Sequence, residues 1–134
     1  MRPLRLGLLV VGSLIIGASV GVAAVSYDSP ARKEQKRADL SGAPGMEVIS
    51  SMVEFKKGDF IAVHVHHGIE TNYVVQGSMV QAPGKDPMML ATGSVGLNLR
   101  DAPHAGFKVV GDEPLKIFTV HIVDKGKPLY DWVK

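Results

Sequence analysis

The residues best suited to chemistry are two histidines and a glutamate in one short stretch. It runs from Gly58 to Gly77 and reads GDFIAVHVHHGIETNYVVQG. Successive side chains of a β-strand point to opposite faces, so His64 and His66 share one face. A turn at Gly68 can then bring the carboxylate of Glu70 back beside them. Because imidazole and carboxylate are common ligands of divalent Zn, Fe, Mn, Ni and Cu, the stretch predicts most of a metal site.

The spacing of these residues resembles the first conserved motif of the cupin superfamily. Five, one, three and six residues separate, in order, Gly58, His64, His66, Glu70 and Gly77. The resemblance implies an all-β fold, the cupin-type double-stranded β-helix or jelly-roll barrel, in a small protein with a single such domain. It also implies that the metal site lies inside the barrel.

The second cupin motif is matched in part further along the chain. Gly93 and His104 stand at its glycine and histidine positions. Leu99, Asp101 and Lys108 stand where the family pattern has proline, glycine and asparagine. We expect these departures to concern turn geometry, and Lys108 to bring a cation near the mouth of the pocket.

The resemblance implies a ligand set of three nitrogens and one oxygen. Carried over residue by residue, the metal ligands are His64, His66, Glu70 and His104, around one divalent Fe, Mn, Ni, Zn or Cu ion. This set leaves one or two positions of an octahedral ion open for water or substrate, which is typical of a catalytic or ligand-binding site. The predicted catalytic residues are Glu70, as a base if it leaves the metal, and Asn72, whose strand parity matches Glu70.

Other polar side chains near the motif are weaker candidates. Tyr73 and Gln76 are further candidates for orienting a substrate. His67 is predicted to be a turn residue, because parity turns it away from the ligand pair. His121, in the alternating run IFTVHIV, could line the barrel, but we favour an interior or surface histidine whose hydrogen bonds are satisfied.

The fold and the ligands do not fix the reaction. Cupins with this ligand set include dioxygenases, isomerases, decarboxylases and non-catalytic binders. We expect a metal-dependent enzyme, dioxygenase-like or isomerase-like, acting on a small organic molecule; the alternative is a non-catalytic periplasmic protein that binds a metal or a small molecule. The resemblance favours a homodimer. With a formal net charge of only +2, the sequence shows no footprint for nucleic acid.

Short apolar runs between glycine and proline breakers predict strands throughout the rest of the chain. No segment beyond the N-terminus has a convincing helical period. The predicted strands lie near Glu47–Phe55, Phe60–His66, Glu70–Gln76, Ser78–Gln81, Met88–Ala91, Val95–Leu99, Phe107–Val110 and Leu115–Val123.

The N-terminus is predicted to be an export or anchoring segment. Arg2 and Arg5 precede an uncharged hydrophobic run from Leu6 to Tyr27, which is long enough for a helix that crosses a bilayer. Small residues give signal-peptidase sites after Ala23 or Ala24, and we favour cleavage and a bacterial periplasmic location. The alternative is a segment that stays as an anchor in the inner membrane. The chain has no cysteine, so a lipid anchor on a cysteine is excluded.

The chain of 134 residues has room for one domain after this segment. We predict a signal peptide or anchor at residues 1–27, a polar linker at 28–45 and a cupin barrel at 46–134. The linker carries the mixed-charge run ARKEQKRADL and is predicted to be a solvated spacer. Tyr130 and Trp132 are predicted to pin the C-terminus to the barrel or to cover a dimer seam.

Overall fold

A computed structural model describes residues 29–134, and this part of the chain is entirely β-structure and loops. The predicted N-terminal segment and its helix lie outside the described residues. Within residues 29–134, no helix is long and apolar enough to cross a membrane. The strands are β1 Arg32–Asp39, β2 Met46–Phe55, β3 Phe60–Ile61, β4 His64–Val65, β5 Gly68–Gln76, β6 Ser78–Gln81, β7 Met88–Leu90, β8 Val95–Asn98, β9 Phe107–Val109, β10 Leu115–Asp124 and β11 Asp131–Trp132.

The strands form two larger sheets and one small one. The five-stranded sheet has the order β1-β2-β10-β5-β8, the four-stranded sheet β3-β9-β6-β7, and β11 pairs with β4. All of the strand pairs are antiparallel. Side chains from both larger sheets meet in one buried cluster, made of Ile61, Val74, Val80, Val109 and Leu115. The two larger sheets therefore enclose a common interior.

Each of the predicted strands has a counterpart, but the one that carries the first histidines is broken. The run from Phe60 to His66 forms β3 and β4, with Ala62 and Val63 between them. The break arises because β3 pairs with β9 in the four-stranded sheet, whereas β4 pairs with β11. The chain therefore passes from the four-stranded sheet to the two-stranded sheet between β3 and β4, and His64 lies in the two-stranded sheet.

The prediction of a polar linker at residues 28–45 is wrong for much of this range. Residues 32–39 form β1, which pairs antiparallel with β2. Most of its side chains are exposed, so strand formation here depends on backbone pairing with the edge of β2 rather than on burial. Ion pairs add to it, since Arg37 contacts Glu34 at 2.9 Å and the buried Glu47 at 2.8 Å.

Candidate metal centre

Three separate parts of the chain bring the predicted ligands together. His64 lies on β4, His66 follows it at the same parity, and Glu70 lies on β5. The loop before β9 carries His104, whose backbone bridges that of His64 through reciprocal hydrogen bonds of 3.2 and 3.1 Å. The fourth predicted ligand is therefore fixed by main-chain pairing with the first.

The two glycines that bound the motif have identifiable geometric roles. Gly58 has a φ of +96°, a conformation that side chains rarely adopt, and it turns the chain into β3. A Cβ atom on Gly77 would lie 2.4 Å from the carbonyl oxygen of Leu90, so only glycine fits between β5 and β6 there. Both glycines serve the turns at the ends of the ligand-bearing segment.

The four side chains converge on one point in the interior. Each of His64, His66, Glu70 and His104 can offer one ligand atom such that all of these atoms lie within 4.8 Å of one another. His66 Nε2 lies 2.9 Å from Glu70 Oε2, and His104 Nε2 lies 3.3 Å from the same oxygen. His64, His66 and Glu70 are buried and His104 is half-buried. The structure therefore brings together the complete set that the sequence predicted.

Backbone carbonyls orient all three imidazoles in the same way. The Nδ1 atoms of His64, His66 and His104 lie 2.8, 2.5 and 3.0 Å from carbonyl oxygens of Ala62, Leu129 and Ala102 respectively. A carbonyl oxygen only accepts, so each Nδ1 carries the hydrogen. The neutral tautomer then has its lone pair on Nε2, the atom turned toward the carboxylate. Metal-binding histidines in proteins are commonly held by this kind of outer hydrogen bond.

The arrangement suits a cation at the point of convergence. An Nε2 lone pair and an ionised carboxylate oxygen repel each other unless a proton or a metal ion lies between them. His104 Nε2 is buried and forms no hydrogen bond with any of residues 29–134. Three imidazole nitrogens and one carboxylate oxygen match the donor preferences of divalent transition metals, so the residues present fit such an ion.

The electrostatics agree with an ionised carboxylate among the imidazoles. Burial raises the pKa of Glu70, but contacts with His104 and His66 outweigh it and hold the pKa well below its ordinary value. Burial lowers the pKa of His64 to about 4, which keeps its imidazole neutral and available as a ligand. Burial also opposes a charge on His104, but the neighbouring Glu70 carboxylate raises its pKa overall. Glu70 is thus the negative centre of the cluster.

A cavity of about 220 Å³ adjoins the cluster. His64, Glu70 and His104 reach it from one side, and Asn72 lines it beside them. The Asn72 amide nitrogen lies 3.5 Å from Glu70 Oε1, so the predicted orienting residue does face the site. Most of the remaining wall is apolar, and its apolar side chains are Val53, Phe55, Ile61, Leu90, Ala105, Phe107 and Ile117.

Three residues that support the ligands were not predicted from the sequence. Asn98 on β8 donates a 3.0 Å hydrogen bond to Glu70 Oε2. The ring of Tyr130 lies 4.9 Å from that of His64, and Trp132 stacks on Tyr130 at 5.4 Å. The C-terminal tail is pinned to the rest of the protein, as predicted, because it forms β11 and pairs with β4. In this position it covers the ligand histidines. The alternation of side chains along β8 could have placed Asn98 on the inner side of the sheet. Its contact with Glu70, however, depends on the register between β5 and β8.

His121 differs from its predicted description as a satisfied histidine. It is fully buried and pairs with Glu70 across β10 and β5. Neither ring nitrogen has a hydrogen-bond partner within residues 29–134, and Nε2 lies 4.0 Å from Glu70 Oε2. Burial lowers the pKa of His121 to about 3, so the ring is neutral. It forms part of the wall behind the cluster.

The other weaker candidates lie away from the site. His67 faces outward as predicted, between Asp101 at 3.2 Å and Asp131 at 3.3 Å. Tyr73 is 47% exposed on the opposite side of β5, so strand parity excludes it from the cavity. Gln76 donates its hydrogen bond to the carbonyl of Pro114 instead.

The altered second motif keeps the backbone conformation at Asp101, and its altered residues do not line the cavity. Asp101 has a φ of +56°, so the position where the family has glycine still adopts the left-handed conformation. Lys108 is exposed between the inward-facing Phe107 and Val109 of β9. The expectation that Lys108 brings a cation to the pocket mouth is wrong, because strand alternation turns it to the other side.

No family model matches the chain, and no curated protein does so either. Similar solved structures include the DMSP lyase DddQ from Ruegeria pomeroyi, with 17% identity over 60% of this chain and 40% of that chain, at a TM-score of 0.47. The polyketide cyclase RemF from Streptomyces resistomycificus has 21% identity over 78% of this chain and 75% of that chain, at 0.48. A cupin-like protein from Thermotoga maritima has 18% identity over 76% and 74%, at 0.48.

Proposed function

We propose that this chain is a cupin that binds one divalent transition metal through His64, His66, Glu70 and His104. We further propose that it is a metal-dependent enzyme, dioxygenase-like or isomerase-like, which acts on a small organic molecule. The observation that carries the proposal is the convergence of four ligand atoms, all within 4.8 Å of one another, beside a mostly apolar cavity.

A metal held there by the four ligands would supply a Lewis acid that polarises a substrate oxygen or nitrogen. The protein supplies the surroundings. Glu70 stays ionised, and the Asn72 amide nitrogen lies 3.5 Å from its Oε1, so the protein holds an anionic oxygen beside the cavity. The Asn72 amide is the group in the cavity wall that orients a polar substituent. Apolar side chains and Tyr130 exclude water around them.

The cavity indicates the kind of molecule that fits. Its volume of about 220 Å³ is below the roughly 300 to 1,000 Å³ of pockets for drug-sized ligands. Its wall offers few polar groups beyond the ligand set, of which Asn72, Asn98 and Thr119 are examples. A small, largely apolar molecule with one metal-binding end matches both properties.

A second candidate function, binding without turnover, is favoured by one observation. Among the described residues that line the cavity, Glu70 is the only carboxylate, and it belongs to the ligand set. His64 and His104 belong to that set as well, which leaves Tyr130 as the sole other titratable group. A cavity without a separate acid or base suits a protein that holds a metal or a small molecule.

The metal assignment is tested with the full chain, reconstituted separately with Fe, Mn, Ni, Zn and Cu. Elemental analysis of the wild type should give one bound ion per chain, and His104→Ala should lose it. His67→Ala is the matched control, because His67 is adjacent to the ligands but faces outward, and it should keep the metal. Wild-type protein that retains none of the five metals contradicts the assignment.

Turnover is tested on protein that has been shown to hold metal. Oxygen consumption and product formation are followed with catechols, β-diketones, flavonols, thiols and keto acids. Turnover of one class, lost in Asn72→Ala with metal content unchanged, supports an enzyme. Tight binding of one compound without any product supports the binding function instead.

We also propose export to the periplasm with cleavage after Ala23 or Ala24. The support is the apolar run from Leu6 to Tyr27 behind two arginines. Mass spectrometry of the protein recovered from a bacterial host gives the mature N-terminus, and fractionation gives the compartment. An intact N-terminus in the inner-membrane fraction supports the anchored alternative.

A further inference from the structure

The outward side of the five-stranded sheet carries an unusual set of side chains. The register of β2, β10, β5 and β8 puts eleven positions on this side, three from each of the first three strands and two from β8. We call this set the outer face. Its residues are Val48, Ser50, Met52, Phe118, Val120, Ile122, Ile69, Thr71, Tyr73, Val95 and Leu97.

Nine of the eleven outer-face residues are apolar or aromatic, the exceptions being Ser50 and Thr71, and none is charged. An antiparallel sheet with one solvated face normally alternates apolar inward and polar outward residues. Here Leu97 is 62% exposed and Val95 is 72% exposed. The composition is that of a sheet buried on both sides, although each of the eleven residues is only half-buried or is exposed within residues 29–134.

Charged pairs border the outer face on two sides. Lys116 and Glu54 lie 3.9 Å apart one row beyond Phe118, and Arg100 and Asp124 form hydrogen bonds of 2.8 and 3.0 Å at the opposite end. Lys33 and Lys36 of β1 flank a third side. An apolar centre within a charged rim is the usual anatomy of a protein interface.

The size of the outer face suits association of two chains. Four strands about 4.8 Å apart and three rows about 6.8 Å apart give an in-plane area of roughly 400 Å². Monomeric proteins rarely expose a contiguous apolar patch larger than a few hundred Å². Side-chain relief and the rim extend this surface toward the approximately 800 Å² that each partner buries in a stable complex.

We propose that the outer face is the interface of a homodimer, in which two copies pack sheet against sheet. A second copy presents a sheet of the same twist, and equally twisted sheets pack well face to face. It also presents the same uncharged centre. The N-terminal run from Leu6 to Tyr27 fits less well as a cover, because it has no charged residue on any side and would leave a largely apolar far side exposed.

The proposal is independent of the metal site and is tested by charge substitution in the full chain. Leu97→Glu puts a carboxylate into the interface of each copy, and the dimer dissociation constant should rise roughly 100-fold or more. Met88→Glu is the matched control, since Met88 is also 62% exposed but lies on β7 of the other sheet. Light scattering after size exclusion should find dimers for the wild type and Met88→Glu, and monomers for Leu97→Glu. Thermal unfolding confirms that each variant is folded.

Cross-linking gives a second, position-specific readout, because the chain contains no cysteine. Thr71→Cys places one thiol in the middle row of the outer face, and Asp86→Cys places one on an exposed loop elsewhere. A cell-permeable bismaleimide should cross-link Thr71→Cys into a dimer in intact cells and should leave Asp86→Cys monomeric.

Several results overturn the proposal. The proposal is wrong if the wild type stays monomeric at the highest soluble concentration. In that case, protection of the Thr71→Cys thiol in the monomer identifies the N-terminal segment as the cover. A dimer that survives Leu97→Glu is held by another surface. Cross-linking of Thr71→Cys to a different protein assigns the face to another partner.

Discussion

Both sides of the five-stranded sheet depart from the usual distribution of polarity. The inner side buries Glu70, His121, Thr119 and Ser51, whereas the outer side exposes Val95 and Leu97. Burying polar groups and exposing apolar ones both cost free energy in an isolated domain. We propose a component beyond this chain for each side: a cation beside Glu70 on the inner side and a second copy over the outer face.

Strand β8 shows the contrast within two adjacent residues. Asn98 turns inward and donates its hydrogen bond to Glu70, while Leu97 turns outward and is exposed. Since alternation is strict along a strand, one short edge strand serves both sides of the sheet. Changes at these two positions should therefore separate the functions of the two sides.

The largest effect is expected from Glu70→Gln, which alters the inner side of the sheet. The substitution removes the only negative charge among the three imidazoles, so metal affinity should fall by roughly 100-fold or more, beyond the 10- to 100-fold typical of outer-shell changes. Competition with a chromogenic chelator measures it. Glu47→Gln is the control, because Glu47 is also a buried glutamate of this sheet but pairs with Arg37 at 2.8 Å. Equal loss in both variants would contradict a specific role for Glu70.

The dimer offers a further check on the same variant. Glu70 points to the opposite side of β5 from the outer face, so Glu70→Gln should remain dimeric by light scattering. Dissociation on loss of the metal would show that the two sides of the sheet are not independent.

Much of the fold could be predicted from local sequence patterns, and the full ligand set from the resemblance to the cupin motifs. Apolar runs located the strands, and i, i+2 parity holds His64 and His66 together even where the strand is broken. β1 escaped prediction because its residues are polar and its strand depends on pairing with β2. No local pattern reports such a pairing.

The supporting residues could not be predicted, for a related reason. Asn98 meets Glu70 through the register of β5 and β8, and Tyr130 reaches His64 because the tail returns as β11. Both contacts join distant parts of the chain. The outer face did leave a signal: in IFTVHIV both parities of β10 are largely apolar, which is typical of a strand buried on both sides.

A smaller loss of affinity is expected from Asn98→Ala. The change removes the 3.0 Å hydrogen bond to Glu70 Oε2 and leaves the four ligands in place, so metal affinity should fall 10- to 100-fold. Asn72→Ala is the comparison, because its contact with Glu70 is only 3.5 Å, and its affinity should fall less. The same chelator competition ranks the two. A larger effect at Asn72 would reverse the assigned roles.

His121→Phe should separate the stability of the inner side from its affinity for metal. Without metal, the imidazole nitrogens have no partner within residues 29–134, so an apolar ring should raise the free energy of unfolding by about 1 kcal/mol. Metal affinity should fall by up to about tenfold, because the neutral ring beside Glu70 can donate to its carboxylate once the ion is bound. Urea unfolding of metal-free protein and chelator competition measure the two effects.

Thr119→Val is the control for His121→Phe on the same strand and the same side. Its buried Oγ1 also has no hydrogen-bond partner among the described residues, but it is not part of the ligand cluster. Stability should rise by about 1 kcal/mol with metal affinity unchanged. If both variants lose affinity equally, the effect belongs to packing of β10 and not to the imidazole.

The smallest effect is expected from a substitution on the outer face, Ser50→Ala. Ser50 is one of its two polar residues and lies opposite Val120 in the middle row, where a second copy would cover it. Ser50→Ala removes a hydroxyl that loses water on association, so the dimer dissociation constant should fall about threefold, in keeping with the modest cost of burying one hydroxyl. Analytical ultracentrifugation across a dilution series measures the change. Since Ser50 and Ser51 point to opposite sides of β2, Ser51→Ala is the matched control, and it should leave the dimer constant unchanged. Tighter association in Ser51→Ala alone would place the interface elsewhere, because that substitution alters only the inner side.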